Sequence, residues 1–223
     1  MVKIDMGRLL RAGASEIGVR LSDGQVEAFL QYVHLLLKWN RRVNLIGTDD
    51  PSEIVIRHVI DSLLFLEVFP AGSPLRVIDI GSGAGLPGIP VKIARPEDTI
   101  VLVESRAKKA AFLREAVRLI RLPGITVHEG RIEEIAGDPE HCGRYDVVVM
   151  RAVSPEDWLG TALRLARGGG RVILSRGKGA AALEAWLRDE AGGMGGRLAE
   201  VVVRTLPVAR EERTLFAVER ETT

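Results

Sequence analysis

The stretch R-V-I-D-I-G-S-G-A-G-L-P-G-I-P, residues Arg76 to Pro90, decides the fold of this 223-residue chain. Its first five residues have the apolar pattern of a strand, and the next eight contain four glycines. Glycines allow positive φ angles and let the backbone approach a ligand closely, while the following helix directs its N-terminal amides to the same place. The stretch therefore predicts a nucleotide-type cofactor at the end of a strand.

The glycine spacing bears on which cofactor binds. The segment Gly83 to Gly88 satisfies the G-x-G-x-x-G pattern of NAD-binding folds. However, the pattern begins two residues too far from the end of the strand, and Pro87 lies inside it. The register D-x-G-x-G-x-G, from Asp79 to Gly85, places a carboxylate at the strand end, where it can order the loop and a cationic or amine-bearing ligand. This register resembles the S-adenosylmethionine loop of class I methyltransferases. An NAD oxidoreductase is the alternative, although no proton donor matches the glycine register.

A second acidic residue, Glu104, ends the apolar run 99–103, about 20 residues past the loop. A carboxylate at a strand end can accept hydrogen bonds from both hydroxyls of an adenosine ribose. NAD enzymes use the same device, so Glu104 supports a nucleoside without choosing between the cofactors. The alternative is a surface glutamate that pairs with Arg106 or Lys108.

Composition excludes several classes of protein. The length and the 46% hydrophobic residues suit one ordinary domain with a modest extension. Without a long apolar segment or an apolar N-terminal run, we expect a cytoplasmic protein with no membrane partner. The single cysteine, Cys142, excludes an internal disulfide and a cysteine-cluster zinc site, and no metal is expected. A net charge of +1 makes RNA contact depend on local basic clusters.

Helical patterns occupy residues 1 to 70. The sequence S-D-G-Q from Ser22 predicts a capping box before an amphipathic helix. A second helix is predicted over 51–69, with Asp50 as its cap and Glu53 completing a D-x-x-E box. We expect residues 1–70 to form a helical extension packed on a catalytic domain of residues 71–223.

Strands and helices alternate after residue 70. Strands are predicted at 76–80, 99–103, 125–128, 145–150, 171–175, 200–206 and 214–220, and helices at about 87, 106–121, 155–167 and 179–191. Seven strands with a reversed closing pair predict an α/β fold, the Rossmann-like doubly wound sheet of class I methyltransferases, better than the six-stranded dinucleotide fold. The glycine-rich segment 191–197 is expected to be a flexible connector.

Five stretches together resemble one family over nearly the whole chain. They are K-W-N-R-R-V-N-L at 38–45, R-H-V-I-D-S-L at 57–63, the glycine loop at 79–90, R-I-E-E at 131–134 and D-V-V-V-M-R-A-V-S at 146–154. The family is the bacterial small-subunit ribosomal RNA guanine-N7 methyltransferases, also called glucose-inhibited division protein B. The resemblance implies S-adenosylmethionine as cofactor and a guanine in the decoding-region loop of 16S ribosomal RNA as target. A monomer acting on a small-subunit assembly particle is expected.

Polar residues form a stripe on the second predicted helix. Arg57, His58, Asp61 and Ser62 are the only polar residues of the segment 54–66, and spacings of three and four place them on one face. The stripe predicts a polar cluster turned toward the active cleft. The alternative is a solvated face on which Arg57 and Asp61 form an exposed ion pair.

Arg151 follows the strand 145–150, at the carboxyl edge where doubly wound sheets place their ligands. We expect it to face the cleft; a buried ion pair with Asp79 or Glu133 is the alternative. The resemblance implies that Ile132 and Glu133 flank the adenine, whereas core packing is the simpler role for Ile132. The predicted catalytic residues are Arg151, His58 and Asp61, and the predicted cofactor-binding residues are Asp79, Gly81, Gly83, Gly85, Leu86, Glu104, Ile132, Glu133 and Arg151.

Two basic clusters could contact RNA. One lies beside Trp39, and the other fills the helix 106–121, which is the weaker candidate because solvated helix faces often look like this. Arg176 stands where the family usually has a lysine after the fifth strand, and a planar guanidinium is not equivalent to an ammonium. The predicted RNA-binding residues are Lys38, Arg41, Arg42, Arg57, Arg176 and Lys178.

The target atom follows from what the chain lacks and from the chemistry of guanine. Guanine N7 has a free lone pair at neutral pH, so methyl transfer needs alignment rather than a base. The chain has neither a nucleophilic cysteine pair nor an N-P-P-Y-type tetrapeptide, which argues against C5 and N6 methylation. A non-catalytic, cofactor-regulated ribosome-assembly protein is the alternative from a different class.

Overall fold

A computed structural model describes residues 5–72 and 74–222. The described residues form one seven-stranded sheet in the order β3-β2-β1-β4-β5-β7-β6. Its strands are β1 Arg76–Ile80, β2 Thr99–Glu104, β3 Ile125–Glu129, β4 Tyr145–Met150, β5 Ala166–Arg176, β6 Gly196–Thr205 and β7 Glu212–Arg220. The first five strands are parallel, and β7 runs antiparallel to both of its neighbours. The predicted fold class is confirmed, including the reversed closing pair.

Eight helices, numbered here in chain order, surround the sheet within the described residues. They are α1 Met6–Glu16, α2 Asp23–Val43, α3 (the α-helix Pro51–Ile54, the π-helix Val55–Ile60, the α-helical turn Asp61–Leu63 and the 3-10 turn Leu64–Val68), α4 Gly88–Ala94, α5 Ala107–Ile120, α6 Ile132–Gly137, α7 Pro155–Leu165 and α8 Ala180–Glu190. The sequence did not predict α6, because six residues are too few to show a helical period.

The predicted connector at 191–197 joins α8 to β6 but is shorter than predicted, and its flexibility stays a prediction. Gly192–Met194 form a 3-10 turn, and β6 already begins at Gly196. A Cβ at Gly196 would lie 2.7 Å from Leu163 Cδ1, so this glycine allows the strand to pack closely on α7. A Cβ at Gly192, Gly193 or Gly195 would meet nothing within 4 Å, so the close packing is specific to Gly196.

The helix caps follow the sequence in part. The Ser22 capping box is formed, with Gln25 as its partner. Asp50 caps α3 by accepting a hydrogen bond from the Ser52 amide at 2.8 Å. The predicted D-x-x-E box was wrong, since the Glu53 carboxylate accepts from the Thr48 hydroxyl at 2.5 Å.

The apolar core has two layers, one on each face of the sheet. Helices α1 to α5 cover one face, and α6 to α8 cover the other. The N-terminal helices pack on the first of these faces. Two hydrogen bonds hold α2 in place there: Tyr32 Oη donates to the Ala84 carbonyl in the glycine loop at 2.6 Å, and Gln25 Nε2 donates to the Ile93 carbonyl of α4 at 2.8 Å. Among the described residues, no helix is long and apolar enough to cross a membrane. The predicted regions 1–70 and 71–223 extend into residues 1–4, 73 and 223, which lie outside the described part.

Candidate active site

The glycine loop is built around the Asp79 carboxylate at the end of β1. Asp79 Oδ2 accepts a hydrogen bond from the Gly88 amide at 3.0 Å, and the Ser82 hydroxyl donates to the Asp79 carbonyl at 2.9 Å. A Cβ at Gly88 would lie 2.4 Å from Leu102 Cδ2 and 2.7 Å from Asp79 Oδ2. Only glycine lets α4 begin this close to the carboxylate.

Asp79 is fully buried, and its Oδ1 is the one buried side-chain nitrogen or oxygen atom in the described part of the chain without a hydrogen-bond partner. Burial raises the pKa of this carboxyl to about 7, although the hydrogen bond from Gly88 opposes the shift. The positive charge of Arg151 opposes it as well. A cationic ligand near the loop would favour the ionised form, so the environment of Asp79 fits such a ligand.

Glu104 joins the glycine loop to α5. Its Oε2 accepts from the Gly83 amide at 2.9 Å, and its Oε1 accepts from the Arg106 amide at 2.8 Å. Because Glu104 is only 6% exposed, the alternative of a surface glutamate was wrong. Arg106 contacts it through the backbone and not through its guanidinium.

Two cavities meet at Gly81 on the carboxyl edge of the sheet, between the ends of β1, β2 and β4. This is where the strand order reverses, since β2 and β4 lie on opposite sides of β1. The smaller cavity, of about 170 Å³, is lined by Ile80, Gly81, Val103, Ser105, Gly130, Arg131, Ile132, Glu133, Val153 and Trp158. The larger, of about 310 Å³, is lined by Leu45, Ile46, His58, Gly81, Ser82, Gly83, Ala84, Leu86, Lys109, Arg151 and Ala152.

Arg151 is held by the polar stripe of α3. Its Nη2 lies 2.7 Å from Asp61 Oδ2 and donates to the Arg57 carbonyl at 2.9 Å. Its Nη1 donates to Ser62 Oγ at 3.1 Å and to the His58 carbonyl at 3.3 Å. Both carbonyls belong to the π-helical segment Val55–Ile60, which departs from the regular i to i−4 ladder. The stripe is therefore turned toward the end of β4.

Two alternatives for this cluster were wrong. Asp61 is only 3% exposed, so it does not form an exposed pair with Arg57. The acidic partner of Arg151 is Asp61, and neither Asp79 nor Glu133 forms an ion pair with it. His58 and Arg151 line the larger cavity, Asp61 and Ser62 are buried behind them, and Arg57 stays exposed.

His58 lies in this cluster as a neutral side chain. Burial, together with the positive charge of Arg151, lowers its pKa to about 4. Its Nδ1 lies 3.4 Å from Arg151 Nη2, which can only donate. The imidazole proton accordingly belongs on Nε2 at neutral pH.

A family model described as rRNA small subunit methyltransferase G matches residues 25–193. The chain belongs to this family, GidB. Two curated proteins with the same description, ribosomal RNA small subunit methyltransferase G, match nearly the whole chain. The Roseiflexus (strain RS-1) protein is 43% identical over 90% of this chain and 86% of its own length, and the Geobacter (strain M21) protein is 37% identical over 95% and 96%. The family resemblance is confirmed.

Solved structures share the fold at low sequence identity. M. jannaschii TYW2 in complex with AdoMet matches with a TM-score of 0.58 at 15% identity, covering 74% of this chain and 76% of its own. A SAM dependent methyltransferase from Aquifex aeolicus matches with a TM-score of 0.57 at 17% identity, covering 82% and 97%. At this identity, the likeness concerns the fold.

In this GidB-family fold, some of the predicted cofactor-binding residues line the cavities and three do not. Gly81, Gly83, Leu86 and Arg151 line the larger cavity, and Gly81, Ile132 and Glu133 line the smaller one. The others, Asp79, Gly85 and Glu104, line neither. Gly85 lies against α4, since a Cβ there would be 2.4 Å from Ile89 Cδ1. These three support the loop from behind, and their contact with a ligand stays a prediction.

The predicted RNA-binding residues are not equally available. Lys38, Arg41, Arg42 and Lys178 are exposed, and Arg176 is half-buried. The guanidinium of Arg57 is engaged by two carboxylates, Glu53 at 3.2 Å and Glu211 at 2.7 Å. Of the six, Arg57 is therefore the least free to bind a phosphate.

Several cavity residues were missed by sequence reasoning. Lys109 and Ile46 line the larger cavity, and Ser105 and Trp158 line the smaller one. Each lies on an element whose place at the cavity depends on tertiary packing, so no local pattern marks it. Leu45 had a signal, because it is the last residue of the K-W-N-R-R-V-N-L stretch.

Proposed function

We propose that this chain transfers the methyl group of S-adenosylmethionine to N7 of a guanine of the guanine-527 type, in the decoding-region loop of 16S ribosomal RNA. The observation that carries the proposal is the pair of cavities meeting at Gly81, with Arg151 and His58 on the wall of the larger one. S-adenosylmethionine supplies a sulfonium methyl group to this site. The chain's residues bind and align the two reactants.

The smaller cavity suits the adenosine half of the methyl donor. Ile132 offers an apolar surface to the adenine, and Glu133 offers a carboxylate at the rim. Glu104 lies behind the glycine loop, and each of its carboxylate oxygens can still accept a further hydrogen bond. The larger cavity then receives the rest of the donor and the target base, with Gly81 between them.

The chemistry requires alignment, and the side chains of the larger cavity fit that requirement. Guanine N7 attacks with its own lone pair, so no residue has to remove a proton first. His58 is neutral and lines the cavity, and in this proposal its Nε2–H donates a hydrogen bond to a carbonyl such as guanine O6. Arg151 has its two Nη atoms fixed by α3, which holds its position during the reaction. Holding the reactants at attack distance accounts for several kcal/mol of rate enhancement.

We propose the exposed basic residues at the end of α2 as RNA contacts. Lys38, Arg41 and Arg42 lie three to seven positions before Leu45, which lines the larger cavity. Arg176 ends β5, and Lys178 follows it two residues later, at the carboxyl edge of the sheet. In this proposal, residues 1–70 form an extension of the catalytic domain 71–223, and a monomer acts on a small-subunit assembly particle.

The test is methylation of ribosomal RNA from cells that lack this activity. The purified protein is incubated with radiolabelled S-adenosylmethionine and that RNA, and the product is treated with borohydride and aniline. N7 methylation leaves a fixed positive charge that labilises the glycosidic bond, so we expect cleavage at one guanine that depends on the protein. Label transfer without cleavage would place the methyl group on another atom. Donor binding without label transfer would instead indicate a non-catalytic binding protein.

A further inference from the structure

Asp61 is a buried carboxylate shared between two arginines. Arg151 Nη2 lies 2.7 Å from its Oδ2, and Arg213 Nε lies 3.0 Å from its Oδ1. Asp61 is only 3% exposed, so bulk water does not compete for either oxygen. Arg213 lines neither of the two cavities. Its direct contact with the Arg151 cluster is through Asp61, and Glu211 links it to Arg57 as well.

Arg213 is itself held firmly at the start of β7. Its Nη2 lies 3.0 Å from Glu211 Oε2, and its Nη1 donates to the Glu212 carbonyl at 3.0 Å. A Cβ at Gly177 would lie 3.1 Å from Arg213 Nη1, so the glycine after β5 leaves room for the guanidinium. The hairpin fixes Arg213 independently of Arg151.

We propose that Arg213 is a positioning residue for methyl transfer, which acts on Arg151 through Asp61. A guanidinium and a carboxylate prefer two parallel hydrogen bonds. Because Arg213 occupies Oδ1, Arg151 is restricted to Oδ2, and its Nη1 is left to donate to Ser62 and His58. This single-oxygen contact keeps the Arg151 guanidinium on the cavity wall. The inference rests on the proposed function.

Loss of Arg213 would free Oδ1 inside the protein. A buried carboxylate oxygen without a partner is costly, so Arg151 is expected to turn and bind both oxygens. The turn would break its contacts with Ser62 and His58. A displacement of about 1 Å in an aligned site reduces catalysis by up to about a hundredfold.

The experiment compares Arg213→Gln with Arg204→Gln. Arg204 lies on the same hairpin and pairs with Glu67 of α3 at 2.6 Å, so its loss removes a hairpin–helix ion pair without touching Asp61. We expect Arg213→Gln to lower kcat by about tenfold or more and to leave the KM for S-adenosylmethionine within about twofold. Arg204→Gln should match the wild type. Equal activity of both variants would overturn the inference.

The same substitution in an Arg151 variant tests whether Arg213 acts through Arg151 or independently of it. In Arg151→Lys, the ammonium cannot form a two-bond fork with Asp61. Arg213→Gln should therefore cost little further activity in that background. A loss as large as in the wild-type background would show that Arg213 acts without Arg151, and the inference would fall.

The titration of His58 gives a readout that does not depend on activity. It is measured by NMR in the protein without S-adenosylmethionine, and the His58→Gln variant identifies the His58 signal. Arg151 contributes to the low pKa of His58, so the pKa should rise in Arg213→Gln as Arg151 turns away and stay unchanged in Arg204→Gln. An unchanged titration in both variants would overturn the inference.

If Arg213→Gln does not fold, Arg213→Lys decides the matter. Its ammonium can still occupy Oδ1 while losing the contacts with Glu211 and Glu212, so activity close to wild type is expected. A tenfold loss in the folded lysine variant would overturn the inference. Absence of transfer by the wild type itself would contradict the proposed function instead, so the two failures are distinguishable.

Discussion

At the scale of single residues, the site depends on ionisable side chains that are buried inside the protein. Arg151 has 16% of its side chain exposed and Asp61 has 4%, which makes their contact stronger than a surface pair. Asp79 and His58 respond to the same burial in opposite ways, since the pKa of the acid rises and that of the base falls. Both shifts reduce the charge inside the site at neutral pH.

Replacing Arg151 by alanine should abolish methyl transfer and lower the free energy of unfolding by about 2 kcal/mol, because a charged hydrogen bond inside the protein is lost while Asp61 keeps Arg213. Transfer assays and thermal unfolding should be measured together. Arg167→Ala is the matched control, since Arg167 pairs with Asp146 at the other end of β4. Wild-type activity in Arg151→Ala would remove this arginine from the catalytic site.

Asp79 should release a proton when S-adenosylmethionine binds. Its pKa of about 7 leaves the free carboxyl about half protonated at pH 7, and a bound cation lowers the pKa by favouring the ionised form. We expect release of about half a proton per ligand at pH 7 and less as the pH rises. Calorimetry in buffers of different ionisation enthalpy measures it. The same release in Asp79→Asn would assign the proton to another group.

At the scale of elements, α2 is coupled to the glycine loop. Tyr32 is fully buried, and its hydroxyl is bonded to the Ala84 carbonyl, which belongs to a lining residue of the larger cavity. Burial raises the pKa of this hydroxyl well above its usual range, so it remains a donor at all ordinary pH values. The N-terminal helices thus support the loop as well as the core.

Tyr32→Phe should lower stability by about 1 to 2 kcal/mol and weaken S-adenosylmethionine binding, because the Ala84 carbonyl loses its partner and the loop is less restrained. Tyr145→Phe is the control. Tyr145 is also buried, and its hydroxyl contacts His141, away from the loop. We expect it to lose stability without a change in cofactor affinity. Unfolding curves and calorimetric affinities of both variants test the coupling, which fails if the two affinities change equally.

At the scale of the whole molecule, electrostatics toward RNA must be local, because the chain carries a formal net charge of only +1. The exposed basic residues at the end of α2 come shortly before Leu45, which lines the larger cavity, and the 30 acidic residues cancel most of the total charge. Binding should therefore follow the salt dependence of a few phosphate contacts.

Substituting Lys38, Arg41 and Arg42 together by glutamine should reduce the slope of log affinity against log salt by about two, at about 0.7 per phosphate contact with single-stranded RNA. Affinity for the substrate RNA should be measured over a salt series. A matched triple replaces the exposed arginines Arg8, Arg20 and Arg188, which line neither cavity. The α2 end is not an RNA contact if both triples change the slope equally.

The sequence alone determined the sheet, the position of the glycine loop and the family. Strand alternation, glycine spacing and end-of-strand carboxylates are local or regularly spaced signals, so they suffice to assign Asp79, Glu104 and Arg151 to one edge of the sheet. Only the tertiary structure decided which partners these side chains have. The π-helical segment of α3 offers its carbonyls to Arg151. The hairpin of β6 and β7 brings Arg213 to Asp61, which is 152 positions away in the chain. Such contacts depend on how separate elements pack, and no local pattern of residues encodes them.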